Sequence, residues 1–149
     1  MKKLFGLFFI TMLLSCSNAV NDKHSVTEEQ HQKHDEYNTL ALNNGVKWQA
    51  DSSTSANVSS LQFVIQTFYD SNNVSLPAYK AIAVELQFGL NEMIRECKMK
   101  GRDHDALHKW LEPLLQQVKE LARVDTVSEA KQILAGIDQQ VNRYNQFFK

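Results

Sequence analysis

The run SLPAYKAIAVELQFGLNEMI, residues 75–94, decides the fold of this chain. It opens with Ser75, a favoured N-cap residue, and carries Pro77 in the first turn, where a missing N–H costs nothing because the first amides of a helix have no partner. Gly101 is well placed to end this helix, since glycine accepts a left-handed C-cap. The apolar residues recur at helical spacing and form one face: Tyr79, Ile82, Ala83, Leu86, Leu90, Met93 and Ile94.

Two neighbouring segments repeat this spacing. The one before it predicts a helix from about Ser53 to Tyr69, which the polar run 71–73 breaks. Its apolar face consists of Val58, Leu61, Ile65 and Phe68. The segment after it predicts a helix that begins at Asp103 as N-cap and kinks where Pro113 removes a hydrogen bond. Its apolar face consists of Leu107, Leu111, Leu114, Val118 and Leu121.

The last segment begins with a capping box, Thr126-Val127-Ser128-Glu129, in which the two outer side chains satisfy early amide donors. Its apolar face consists of Ile133, Ile137, Val141, Tyr144 and Phe148. No segment shows the alternating pattern of a strand. Four amphipathic segments joined by short links therefore predict an all-α fold, a four-helix up-and-down bundle that follows a mobile N-terminal tether.

The N-terminus has the order of an export signal. Lys2 and Lys3 precede an apolar run at 4–14, which is too short to span a membrane as a helix, since that takes about 20 residues. The run ends in Leu13-Leu14-Ser15-Cys16, which resembles the lipobox of bacterial lipoproteins. The resemblance implies that residues 1–15 are a signal peptide and that Cys16 becomes the lipid-bearing N-terminus.

This resemblance also implies a location. The lipid would hold the protein on a membrane of the cell envelope, and Ser17, which is not Asp, implies the outer membrane facing the periplasm if the host is Gram-negative. Residues 16–40 are polar, and such a segment stays mobile because it cannot bury apolar area. We therefore expect a flexible tether at 16–40 and a helical bundle domain at 41–149. Trp48, after the turn Asn43-Asn44-Gly45, is expected to pack on the bundle.

Charge narrows the set of partners. Removing Lys2 and Lys3 from the 16 basic residues leaves 14 against 17 acidic residues, a net charge of −3. No basic patch dominates, so nucleic acid is not an expected partner. The membrane, reached through the lipid, is the first expected partner. A metal ion and a protein of the envelope are the others.

The segment 97–108, CKMKGRDHDALH, is the strongest candidate for chemistry. His104 and His108 are four residues apart, so their rings lie one helical turn apart on one face. Cys97 is predicted about one turn before the end of the preceding helix, from where its sulfur could approach those rings. Sulfur with imidazole suits Cu(I), cysteine with two histidines also suits Zn²⁺, and Met99 favours copper because a thioether is a poor zinc ligand.

Two classes of function follow. The first is an envelope lipoprotein that binds copper as Cu(I), with zinc as second choice, at Cys97, Met99, His104 and His108, and that acts as a buffer, carrier or sensor. The second is a lipid-tethered helical interaction protein without a metal, in which each of these four residues has a structural role and the aromatic residues Trp48, Trp110 and Phe147 serve docking or packing. No nucleophile with a pocket and oxyanion donors, phosphate-binding loop or paired carboxylates are evident, so an enzyme is not expected.

Overall fold

The computed structural model describes residues 39–149, and the predicted signal peptide, Cys16 and most of the predicted tether lie outside this part. The described residues form four long helices and one short helix. In chain order these are α1 (Ser52–Asp70), α2 (Leu76–Glu96), α3 (Gly101–Leu121), α4 (Val127–Asn142) and α5 (Tyr144–Phe147). Helices that follow one another pack together, and α4 also packs against α1 and α2. The predicted all-α four-helix up-and-down bundle is confirmed.

Three of the long helices begin at a side-chain cap. Asp51 accepts a hydrogen bond from the amide of Thr54 at the start of α1. Ser75 caps α2, and Thr126 caps α4 by accepting from the amide of Glu129. Each cap satisfies one of the amide donors that the first turn leaves without a partner. The sequence predicted the caps of α2 and α4.

The predicted apolar faces form the core. All the buried hydrophobic residues join one cluster in which Leu90, Met93, Ile137 and Val141 are fully buried. Phe68 and Ile133 are only partly buried and pack against this cluster. Ile94 does not follow the prediction, because its side chain is 51% exposed. It lies in the last turn of α2, one position beyond the buried Met93, and turns outward.

The segment before α1 closes one end of the bundle. Its turn has positive φ at Asn44 and Gly45, and Trp48 pairs with Phe148 in an isolated parallel bridge. The amide of Trp48 donates to the carbonyl of Phe147, and Lys149 donates back to Trp48. Trp48 is half-buried and packs on the core, as the sequence predicted. None of the helices described is both long and apolar enough to cross a membrane.

Candidate metal centre

The corner between α2 and α3 brings three of the four predicted ligands together, and its backbone differs from the prediction. Helix α2 ends at Glu96, so Cys97 is its C-cap residue and does not lie a turn before the helix end. Gly101 does not end α2. It is the first residue of α3, and its φ of +64° lies in the left-handed region that glycine adopts without strain.

Asp103 is not the N-cap of α3, as was predicted. The cap position is occupied by Lys100, which makes no capping hydrogen bond with its side chain. Asp103 lies in the first turn, where its carboxylate accepts a hydrogen bond of 3.0 Å from the amide of Gln49. A contact with the segment before α1 therefore replaces the local cap. Helix α3 then continues without interruption through Pro113 to Leu121.

Asp51 holds the other side of the corner. Its Oδ1 caps α1, and its Oδ2 accepts a hydrogen bond of 2.7 Å from the amide of Lys98. Burial raises the pKa of Asp51 through desolvation, but hydrogen bonds from Thr54, Lys98 and Ser53 outweigh it and lower the pKa from 3.8 to about 2. The start of α1 and the end of α2 are thus joined by one ionised carboxylate. Sequence spacing did not reveal this residue's role at the corner, since its partner lies far along the chain.

The two imidazoles of α3 approach each other through their Nε2 atoms. Nε2 of His104 lies 3.0 Å from Nε2 of His108, and the rings meet edge to face with centroids 4.6 Å apart. His108 is exposed and His104 is half-buried. On the far side of His108, Nδ1 lies 3.9 Å from a carboxylate oxygen of Glu112. Glu112 was not predicted as part of this site, although its position four residues after His108 indicates this contact.

Cys97 approaches the other nitrogen of His104. Its Sγ lies 3.7 Å from Nδ1 of that ring. Cys97 is half-buried, forms no disulfide and packs against the core. His104 therefore has a soft sulfur at one nitrogen and a second imidazole at the other. The two nitrogens point in different directions, so one ion cannot bind both.

Met99, the fourth predicted ligand, shares the environment of Cys97. Its side chain is half-buried and packs against the hydrophobic core. Between residues 39 and 149, no group of three or more His, Cys, Asp or Glu side chains is arranged to hold a metal ion. Cys97, His104 and His108 therefore do not form a three-ligand group in this part of the chain.

The aromatic residues considered for docking on a partner all contact the core. Trp110 is 1% exposed, and its indole N–H donates to the carbonyl of Gln140 at 2.9 Å. The side-chain amide of Gln140 donates back to the carbonyl of Trp110 at 2.7 Å. Trp48 and Phe147 are half-buried against the core. Trp110 is therefore part of the core, whereas Trp48 and Phe147 are each packed against it with part of the side chain exposed.

Comparison with known proteins identifies no relative of this chain. No protein-family model, no curated protein and no solved structure matches the chain.

Proposed function

We propose that this chain is a lipid-anchored envelope protein that binds one transition-metal ion at the corner between α2 and α3, with copper as Cu(I) first and zinc second. The observation that carries the proposal is the position of His104. Its ring has Cys97 Sγ at 3.7 Å from one nitrogen and His108 Nε2 at 3.0 Å from the other. His104 is therefore the ligand common to two possible metal positions.

The position on the Cys97 side suits Cu(I). At the bond lengths of tetrahedral zinc, about 2.3 Å to a thiolate and about 2.1 Å to an imidazole, the two ligand atoms of one metal ion are about 3.6 Å apart. Cys97 Sγ and His104 Nδ1 are 3.7 Å apart, so little movement is needed. Cu(I) prefers sulfur and imidazole ligands. Here His104 would keep its proton on Nε2 and donate it to His108, as metal-bound histidines commonly do with their second nitrogen.

The position on the His108 side suits Zn²⁺. Two imidazoles that bind one tetrahedral ion at about 2.0–2.1 Å place their nitrogens about 3.3 Å apart. The two Nε2 atoms are 3.0 Å apart, and Glu112 lies beside the outer nitrogen of His108, where a carboxylate commonly orients a zinc-bound ring. In this case His104 carries its proton on Nδ1, next to Cys97. The two positions need opposite tautomers of His104, so only one ion binds at a time.

The experiment is a titration of the purified chain with Cu(I) under reducing conditions, and separately with Zn²⁺, against a chromophoric chelator. We expect about one ion of either metal per chain, with affinity that falls at acid pH because protons compete for the thiolate and the imidazoles. His104→Ala should abolish the binding of both metals. His31→Ala is the matched control, because it deletes a histidine at a distant position in the sequence and should change neither. Unchanged binding of both metals in His104→Ala would contradict the proposal.

A further inference from the structure

The outward side of α2 carries apolar residues that the bundle does not cover. Val84 is 68% exposed and Phe88 is 65% exposed, although both lie in the middle of a long helix. They are four residues apart and thus neighbours on one face. Because α2 packs against all three other long helices, this face lies between α1 on one side and α3 on the other. Exposed apolar residues that are grouped in this way commonly mark an interaction site.

A groove of about 580 Å³ runs along the α1 side of this pair, with Leu61 and Val64 in its lining and an acidic rim of Glu85 and Glu92. Glu85 forms no salt bridge within residues 39–149, and Glu92 pairs only with Arg95 of its own helix. One side of the exposed face is therefore apolar with negative charge at its edge.

A second groove, of about 480 Å³, runs along the α3 side of the same pair. Its charged lining residues are Lys119 and Arg123, both basic. Neither of these side chains forms a salt bridge with another described residue. The face thus has opposite charges on the two sides of Val84 and Phe88.

We propose that this face binds a second copy of this chain, with the two α2 helices parallel about a two-fold axis that runs along them. Rotation about such an axis exchanges the two sides of the face, so the acidic side of each copy meets the basic side of the other. A perpendicular axis would instead place acidic on acidic. The unpaired Glu85, Lys119 and Arg123 then gain partners, which makes a second copy the occupant that the charges favour.

The spacing of α2 fits this arrangement. Ala81, Val84, Phe88 and Asn91 recur at alternating intervals of three and four residues, the pattern by which parallel helices pair along one seam. Ala81 and Asn91 are exposed like the two apolar residues between them. Asn91 is a polar residue within the seam, and such a residue commonly fixes the register of a parallel pair. This inference is independent of the proposed metal site.

The first test compares two matched substitutions by light scattering of the purified chain. The wild type should have twice the mass of a single mature chain. Val84→Asp should reduce it to the single-chain value, whereas Val46→Asp, at an exposed valine of the N-terminal turn, should leave it doubled. A single-chain mass for the wild type up to about 1 mM overturns the proposal, and so does a dimer that survives Val84→Asp or is lost in Val46→Asp.

The second test reverses the charges. It replaces no apolar residue, so its result does not depend on whether a variant such as Val84→Asp folds. The pair Glu85→Lys and Glu92→Lys makes both sides of the face basic, and the pair Lys119→Glu and Arg123→Glu makes both sides acidic. Each double variant should be a single chain on its own, and an equimolar mixture should recover the doubled mass. A mixture that remains at the single-chain mass contradicts a dimer in which the acidic side of each copy meets the basic side of the other.

Discussion

Asp51 is the residue that joins the start of α1 to the corner, and replacing it should destabilise both. Asp51→Ala deletes the cap on Thr54 and the acceptor of the Lys98 amide. We expect the free energy of unfolding to fall by about 1–2 kcal/mol, the upper part of the range for loss of an N-cap. Urea unfolding at neutral pH measures it. Ser52→Ala, at the exposed neighbouring position, is the control and should change little.

The same carboxylate predicts how stability depends on pH. The pKa of Asp51 is about 2 in the folded protein and 3.8 ordinarily, so the folded state favours the ionised form. Its contribution is fully present above about pH 4, declines as the pH falls from 3.8 towards 2, and is absent below that. Urea unfolding at pH 6 and pH 2.5 should therefore show a smaller loss of stability for Asp51→Asn than for the wild type. An equal loss would exclude Asp51 as a source of acid sensitivity.

The residues of the corner show where sequence reasoning ends. The neighbourhood of His104 and His108 follows from their spacing on one helix, which is local information. The predictions that Gly101 ends α2 and that Asp103 caps α3 were wrong. The reason is that the amides of Lys98 and Gln49 donate to carboxylates far along the chain. Such contacts depend on how the whole bundle packs, so local propensity could not have indicated them.

Among the elements, α4 offers the most direct test of the core. Ile137 is completely buried, so Ile137→Ala should lower the free energy of unfolding by about 2–5 kcal/mol through lost burial and the cavity left behind. Lys131 is exposed on the same helix, and Lys131→Ala should change stability by no more than about 0.5 kcal/mol. Urea unfolding compares the two, and equal effects would be incompatible with the buried face of α4.

The helices were predictable because each has one apolar face of regular period. The same rule failed for Ile94, which is apolar but lies beyond the buried face, and it did not select the fully buried Leu134 or Trp110. The predicted apolar face of α2 omits Val84 and Phe88, and both side chains are exposed, but the spacing does not show which neighbouring helix lies on either side of them. Only the positions of α1 and α3 determine which side of α2 remains uncovered.

For the whole molecule, the lipid anchor is the prediction that rests on sequence alone. Cys16 and the apolar run before it lie outside the described residues. We expect metabolically supplied labelled palmitate to enter the wild-type protein and not the Cys16→Ser variant, because no other cysteine follows the apolar run closely. Cys97→Ser is the matched control and should still be labelled. Label in Cys16→Ser would contradict the lipobox interpretation.

The measurement that tests the account most directly is the affinity of Cys97→Ala and His108→Ala for the two metals. If His104 is the ligand shared by two positions, Cys97→Ala should strongly reduce the affinity for Cu(I). The affinity for Zn²⁺ should fall by at most roughly 10- to 100-fold, as expected for loss of an orienting group. His108→Ala should do the reverse. Binding of both metals that survives both substitutions together would contradict the account.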